Sequence, residues 1–351
     1  MPYVVEHVAA MADAHVSEGV AVGTVFATEH ALVPRALGGD LGCGMTAIEL
    51  GVEADRLDRR TLERTIEQLG RAIPTGASTH RGRGIAVADA LLATPLSTQS
   101  LVHGREALAR RHLGTLGGGN HFVEIDRDVH GAAWLLVHSG SRGIGAAIAA
   151  HHVRAAETAG RRDALAGIED TTEAGMAYVR DGDWALAFAR ENRRVIATRA
   201  VEVLVQTWRV AIEPVEHVDL HHNFVARERW YGRELWVHRK GAVAAPCGAR
   251  VLIPGSMGTA SYLVEGTGNP ESFGSCSHGA GRVLSRKQAR SAIGPEALTA
   301  AMRRIVFPAR LARELVEEAP AAYRDIVEVL EDQSDLLERR LRLEPIAVLK
   351  G

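Results

Sequence analysis

Apolar positions recur along this chain with two periods, and where each period holds it predicts an element. Leu62, Ile66, Leu69 and Ile73 repeat at helical spacing, predicting an amphipathic helix within residues 57–73. Residues 184–208 read as a second helix, with Arg193 and Arg194 on its solvated face. It closes a mostly helical stretch, residues 146–208, in which His151 and His152 are expected as surface residues without chemistry. A short helix is expected over 108–112, and the tail gives two helices broken near Pro308 and Pro320. Apolar and alternating runs predict strands at 3–5, 20–27, 46–50, 134–138, 234–238, 242–245, 250–253 and 261–265, with a last one running from Pro345 to Leu349. Asp13 and His15 fall between the first two runs. Residues 74–96 are rich in Gly, Thr, Ser and Arg without a period and read as a long surface loop, whose Arg81 and Arg83 either meet a phosphate or stay solvated.

Strands interleaved with helices indicate an α/β fold of centrally packed β-sheets with peripheral helices. The candidate ligands described below are spread from Asp40 to Lys350, so any cut into two halves would divide the site. One domain over residues 1–351 is therefore expected, with 146–208 as a peripheral helical segment. At 351 residues and 46% hydrophobic content, the chain can bury a large core. Its formal charge of −2 offers no general polyanion-binding surface, so a nucleic acid must be gripped locally by arginines. Cys43, Cys247 and Cys276 are too few and too scattered for a disulfide framework. With no leader-like N-terminus and no apolar run of bilayer length, the expectation is a reduced, soluble, cytoplasmic protein.

The chemistry centres on Asp40-Leu41-Gly42-Cys43-Gly44, which sets a carboxylate and a thiol three residues apart on a glycine-hinged turn. Such a pair alone is weak evidence for a metal site. Three later segments strengthen it: Asn120-His121-Phe122-Val123-Glu124, His138-Ser139-Gly140-Ser141-Arg142 and His221-His222-Asn223, each where a strand meets a polar turn. Asp13 either faces this turn or is a solvated loop residue. The glycine run 114–119 lacks the Gly-Lys-Ser/Thr ending of a nucleotide-triphosphatase phosphate loop. Residues 139–145 read as a turn opening a helix, where exposed amides and Arg142 make an oxyanion site. Pro254-Gly255-Ser256-Met257-Gly258 either presents amides to an anion or is a plain hairpin connection. His278 is followed by Gly279-Ala280-Gly281-Arg282, a poor core sequence but a good setting for an accessible nucleophile. Small neighbours let a phosphate approach, and Arg282 and Arg286 balance its charge. Lys350 either closes over a ligand or frays at the terminus.

From about Met11 to Gly351 these motifs, in this order, resemble the RtcB-type RNA ligases, which join RNA ends in tRNA splicing and RNA repair. The likeness includes Gly-Asp-Leu-Gly-Cys-Gly-Met, Gly-Gly-Gly-Asn-His-Phe-Val-Glu, His-Ser-Gly-Ser-Arg-Gly, His-His-Asn, Arg-Lys-Gly-Ala, Ile-Pro-Gly-Ser-Met-Gly, Ser-His-Gly-Ala-Gly-Arg and the final Lys-Gly. The resemblance implies two Mn²⁺ ions bridged by Cys43, with Asp40 and His121 on one side and His138 and His222 on the other. It implies that His278 attacks the α-phosphate of GTP to form a guanylyl-enzyme. Asn120, His121, Phe122, Val123, Glu124, His222, Asn223, Pro254, Gly255, Ser256, Met257, Ser261, Gly279, Ala280, Gly281, Tyr323 and Lys350 fall at the family's guanine-nucleotide positions, with Glu124 suited to the N1 and N2 edge of guanine. Asp13 matches an aspartate that orients a hydroxyl or acts as a base, and Arg142, Arg282 and Arg286 would meet substrate phosphate.

The implied substrates are RNA 2′,3′-cyclic phosphate or 3′-phosphate ends and 5′-hydroxyl ends, from tRNA halves or damaged RNA, with room for an activating protein partner and no membrane. The segment before Asp13 is short for the family, and Ala12, Ser17 and Gly39 depart from its usual residues, which bears on substrate handling. Two other classes stand beside this one. A metal-dependent phosphoesterase would open cyclic phosphates without needing His278, and a non-catalytic RNA-end binder would not need a full ligand set.

Overall fold

The strand and helix signals resolve into two main antiparallel sheets and two two-stranded ribbons, with helices outside them, in a computed structural model, which describes residues 3–82, 84–158 and 165–351. Strands β1 (Val4–His15), β2 (Val22–Thr28) and β3 (Ala31–Leu32) lead to helix α1 (Pro34–Leu37), strand β4 (Gly44–Glu53) and helices α2 (Arg59–Ala72), α3 (Asp89–Ala93) and α4 (Gln99–His112). Next come β5 (Phe122–Asp128), β6 (Ala132–Ser139), α5 (Arg142–Thr158), β7 (Ile168–Glu169) and the long α6 (Glu173–Trp208). A run of strands follows: β8 (His217–His221), β9 (Asn223–Trp230), β10 (Arg233–Lys240), β11 (Ala242–Ala244), β12 (Arg250–Ile253), β13 (Ser261–Gly266) and β14 (Ser275–Ser277). Helices α7 (Arg286–Ala292), α8 (Pro295–Ala301), α9 (Ala312–Leu315) and α10 (Ile326–Glu331) precede the last strand, β15 (Leu337–Lys350).

The larger sheet has seven strands in the order β12-β13-β15-β5-β6-β4-β8, and the smaller has the order β1-β2-β10-β9. Side chains alternate across β5: Val123 and Ile125 enter a core with α2 and α6, while Phe122 joins a core with α8 and α9 on the opposite face. Helix α2 forms because Asp58 caps it by accepting from the Thr61 amide at 2.7 Å, and because Leu62, Ile66 and Leu69 give it one apolar stripe. A third core lies between the two sheets, where Val25 and Ala27 of β2 and Val237 of β10 meet Val251 and Val264. Among the described residues, no helix is long and apolar enough to cross a membrane.

Several expectations change. Asp13 and His15 do not lie between strands but on β1, a single twelve-residue strand. Bulges in its pairing with β2 break the alternation that would have revealed its length. The helix expected at 108–112 begins at Gln99, capped by Thr98, and the tail breaks into four short α-helices rather than two. The expected loop at 74–96 contains α3 and buries Val87 and Leu96; Arg81 is exposed, and Arg83 lies outside the described residues. Helix α6 starts at Glu173, where Thr172 caps it, and its Ile196, Ala200 and Leu204 pack under the large sheet. Arg193 is therefore not on a solvated face. It is wholly buried and, like Asn192, points at the site described next. His152 is also buried, with Nε2 2.8 Å from Asp181 Oδ2, so it ties α5 to α6.

Candidate active site

Sheet register brings the sequence motifs together. Phe122 pairs with His138 on one side and with Lys350 on the other, Met45 pairs with His138, and Gly44 pairs with His221. Five adjacent strands thus deliver their motifs to one end of the sheet. The two histidines that could hold a metal are aimed from there by their backbone contacts. His121 Nδ1 is 2.9 Å from the Leu116 carbonyl and His138 Nδ1 is 3.1 Å from the Asn120 carbonyl, so each Nδ1–H donates and leaves Nε2 with a lone pair.

Those lone pairs converge. His121 Nε2 is 3.4 Å and His138 Nε2 3.2 Å from Cys43 Sγ, and His138 Nε2 is 3.4 Å from His222 Nε2. Cys43, His121 and His138 offer ligand atoms all within 4.8 Å of one another. Burial holds the His121, His138 and His222 imidazoles neutral by pushing their pKa values down. Burial first, and then the Asp40 charge, raises the Cys43 thiol well above its ordinary value. A single S–H can serve only one of the two Nε2 lone pairs aimed at Cys43, and a cation in place of that proton would satisfy both imidazoles and the sulfur together. The donor set of soft sulfur, imidazoles and a nearby carboxylate fits a transition-metal ion. Asp40 sits at the mouth of the site, its Oδ1 so close to Gly140 that a Cβ there would lie 2.9 Å away.

His278 stands over this cluster with its ring centroid 4.8 Å from that of His222. Its Nδ1 is 2.6 Å from Oδ2 of the wholly buried Asp13. Gly281, at φ 72°, allows this approach, since a Cβ there would overlap the Asp13 carbonyl oxygen. A cavity of about 1430 Å³ opens in front of His278. Asp40, His138 and His222 border it at the metal end, and Asn120, Phe122, Glu124, Asn223, Ser261 and Lys350 line its floor. Pro254, Gly255, Ser256 and Met257 form one wall, and Gly279, Ala280, Gly281 and Tyr323 another. Lys350 is not frayed. It ends a central strand, buried, with Nζ 3.2 Å from the Asn120 carbonyl and 3.5 Å from Glu318. Burial, and then neighbouring Asp126, raises the Glu124 carboxyl well above its usual range.

Val123 and Arg142 lie off the cavity, and Arg282 and Arg286 line it. Val123 points away from the cavity into the core under α2, as strand alternation requires of a residue between Phe122 and Glu124. Arg142 is not on the cavity wall but packs behind His121, with its guanidinium filling the space left by Gly117 and Nε 3.3 Å from Thr115 Oγ1. Arg282 lines the cavity but spends its donors on Leu284, Glu317, Glu318 and Tyr323, so it braces the wall. Arg286 is half-exposed at the rim, with Nε 3.4 Å from Glu318.

Asn192 and Arg193 also hold the site, the second against its expected place on a solvated face. Asn192 accepts from the Gly114 amide at 2.7 Å and donates to the Thr115 and Gly140 carbonyls, stitching together the loops before His121 and after His138. Arg193 donates to the Gly42 and Ser139 carbonyls and grips Asp219 at 2.7 Å, fixing the turn that presents Cys43. A signal for both existed: they interrupt the apolar stripe of Ala185, Phe188, Ala189, Ile196 and Ala200 on α6, and polar residues on a buried stripe require buried partners.

The model of the tRNA-splicing ligase RtcB family matches residues 1–100 and 92–351. The RNA-splicing ligase RtcB of Escherichia coli K12 is 37% identical over all of this chain and 91% of its own length. The RNA-splicing ligase RtcB of Mycobacterium tuberculosis is 31% identical over the whole chain and 98% of its own. The tRNA-splicing ligase RtcB of Pyrobaculum aerophilum is 29% identical over 97% of the chain and 86% of its own. With a converging metal-ligand cluster, a carboxylate-oriented histidine and a match along its whole length, the chain belongs to the RtcB family of tRNA-splicing ligases.

Proposed function

We propose that this protein is a GTP- and Mn²⁺-dependent RNA ligase that joins 2′,3′-cyclic phosphate or 3′-phosphate ends to 5′-hydroxyl ends. The observation that carries this reading is His278 itself: Asp13 at 2.6 Å occupies Nδ1, leaving Nε2 with a free lone pair beside the metal-ligand cluster. Metal-assisted hydrolysis of a phosphoester can proceed by direct attack of water, whereas transfer through a covalent nucleotidyl-enzyme requires such a nucleophile.

Cys43, with Asp40, His121, His138 and His222, would hold the two ions, which supply Lewis-acid stabilisation of phosphate oxygens. The protein's own groups do the rest. Nε2 of His278 attacks the α-phosphorus of GTP, forming an N–P bond as pyrophosphate leaves, while Asp13 keeps Nδ1–H in place and stabilises the positive charge gained by the ring. A cyclic phosphate end is first opened by water to the 3′-phosphate. An oxygen of that 3′-phosphate then attacks the guanylyl phosphorus, releasing His278. The 5′-hydroxyl oxygen finally attacks the RNA phosphorus, expelling GMP and closing the phosphodiester. Glu124 accepts from the guanine edge, with the buried Lys350 beside it as counter-charge. Arg286 at the rim meets the incoming RNA phosphate. Local rather than general contact with RNA suits a chain of net charge −2 acting on tRNA halves or broken RNA in the cytoplasm.

Incubation with α-labelled GTP and Mn²⁺ tests the reading. Acid-labile label on the protein is the expected result, and a protein that opens cyclic phosphates yet never carries label is a phosphoesterase.

A further inference from the structure

A second hollow, of about 700 Å³, lies between α3, the start of α6 and the β9–β10 ribbon, and shares no lining residue with the cavity before His278. Trp236, half-buried, forms one wall and the buried Trp184 lies behind it. The indole of Trp236 is fixed: its Nε1 donates to Asp170 Oδ2 at 2.8 Å. Arg227 is the register partner of Trp236 across the ribbon, with its guanidinium carbon 5.8 Å from the ring centroid. Among the described residues, neither Arg227 nor Arg180 has a carboxylate within ion-pairing distance, and Asp170 Oδ1, in a side chain only 7% exposed, has no hydrogen-bond partner. His30 Nδ1 lies 3.7 Å from that oxygen, too far for a hydrogen bond. Asp183 adds a second carboxylate to the lining.

An oriented indole, two unpaired guanidiniums and two carboxylates around one hollow match the parts of a nucleotide: a flat ring to stack, a phosphate to pair, and base N–H groups to donate. The hollow is also placed for it. Trp236 and Lys240 are four residues apart on β10, so they project from the same face, about 13 Å apart, and Lys240 lines the first cavity.

We propose that this hollow binds a nucleotide of the RNA body, its base against Trp236 and its phosphate at Arg227 and Arg180, while the ends to be joined occupy the cavity before His278. The proposal rests on the ligase reading. It supplies affinity for the RNA beyond the ends, which a chain of net charge −2 otherwise lacks.

The test uses the full-length protein, with Mn²⁺, GTP and two RNA substrates: one whose single-stranded ends are a few nucleotides long and one whose ends extend well past the joint. Arg227→Ala and Arg180→Ala should each raise KM for the long substrate about fivefold or more, the low end for a lost stack or charge-assisted contact. KM for the short substrate, kcat and guanylylation by GTP should stay at parental values. Ultraviolet cross-linking of the long single strand should map to the peptide carrying Trp236. An unchanged KM for the long substrate in both variants, or cross-links only around the first cavity, would overturn the proposal and leave the hollow to a protein partner. Absence of guanylylation in the parent would instead defeat the ligase reading, and the cross-link map would still report on the hollow.

Discussion

Asp13 Oδ2 lies 2.6 Å from Nδ1 of His278 and 3.3 Å from the backbone nitrogen of the same residue. One buried carboxylate thus fixes both the ring and the strand end that carries it, through residues 265 apart in sequence. On the proposed function, the other ring nitrogen is the one left free to attack.

Asp13→Asn is expected to preserve the packing but allow the wrong tautomer, since an amide can donate to Nδ1 as readily as accept from it. The rate of guanylylation should fall by roughly 10²–10⁴-fold, with little change in melting temperature. Labelling at the parental rate would reduce Asp13 to a structural role.

Arg193 is fully buried between Asp219 and the Gly42 and Ser139 carbonyls. Arg193→Ala leaves the Asp219 carboxylate to Arg190 at 3.4 Å and the Thr46 hydroxyl at 2.5 Å, and should cost about 3 kcal/mol of stability, the low end for breaking a buried ion pair. Urea denaturation measures it. Arg193→Lys should recover only part, because an ammonium cannot reach all three partners at once.

The contrast between Arg193 and His278 shows what was legible in the sequence. His278 was readable because local composition marked it: a histidine followed by Gly-Ala-Gly has little use in a core. The same holds for Cys43 on its glycine turn, and the apolar periods of α2 and β6 were enough to place both elements. Arg193 needed knowledge of which side of α6 faces the sheet, a tertiary fact that its neighbour Arg194, exposed and paired with Glu191, does nothing to reveal. Asp13 was undecidable for a similar reason, since β1 bulges around it. Arg282 was misjudged because a charge beside a phosphate site and a charge bracing its wall look alike in sequence; only Glu317, Glu318 and Tyr323 tell them apart.

His238 makes stability fall in acid. Its Nδ1 donates to the Trp236 carbonyl and its Nε2 accepts from the Val33 amide at 3.1 Å, so protonation would break the second bond. Burial lowers its pKa to about 3. The unfolded chain, with an ordinary value near 6.5, binds a proton that the folded chain refuses between these limits. The contribution is therefore whole above pH ~6.5 and lost as pH falls through the window, at about 1.4 kcal/mol per pH unit. His238→Gln, which can still accept from Val33, should flatten the pH dependence of urea midpoints between pH 6.5 and 4 by about one proton. An unchanged slope would mean that His238 does not titrate in that range.

Cys43→Ala should remove metal binding altogether, because the thiolate is the one ligand that would serve both ions. Isothermal titration with Mn²⁺ against the parent measures this. Cys43→Ser, nearly isosteric but harder and less acidic, should bind far more weakly than the parent. Retention of two equivalents by Cys43→Ala would refute the bridging role.

Removing His278 separates joining from the chemistry that prepares for it. In His278→Ala the candidate ligands His121 and His138 keep their own backbone anchors, since their Nδ1 partners are the Leu116 and Asn120 carbonyls rather than His278. Metal binding should therefore persist. Guanylylation and sealing of ordinary ends should disappear together, because losing a covalent nucleophile deletes a reaction path, whereas losing a positioning group removes only part of the rate enhancement. RNA already carrying a 3′-guanylyl group needs no help from Nε2, and the variant should still seal it to a 5′-hydroxyl end. Two results would overturn the assignment: label on the variant after incubation with α-labelled GTP, or sealing of 2′,3′-cyclic phosphate ends at the parental rate. A variant that retains metal but seals neither ordinary nor pre-activated RNA would give His278 a second duty in the final attack, which its place beside His222, with ring centroids 4.8 Å apart, puts within reach.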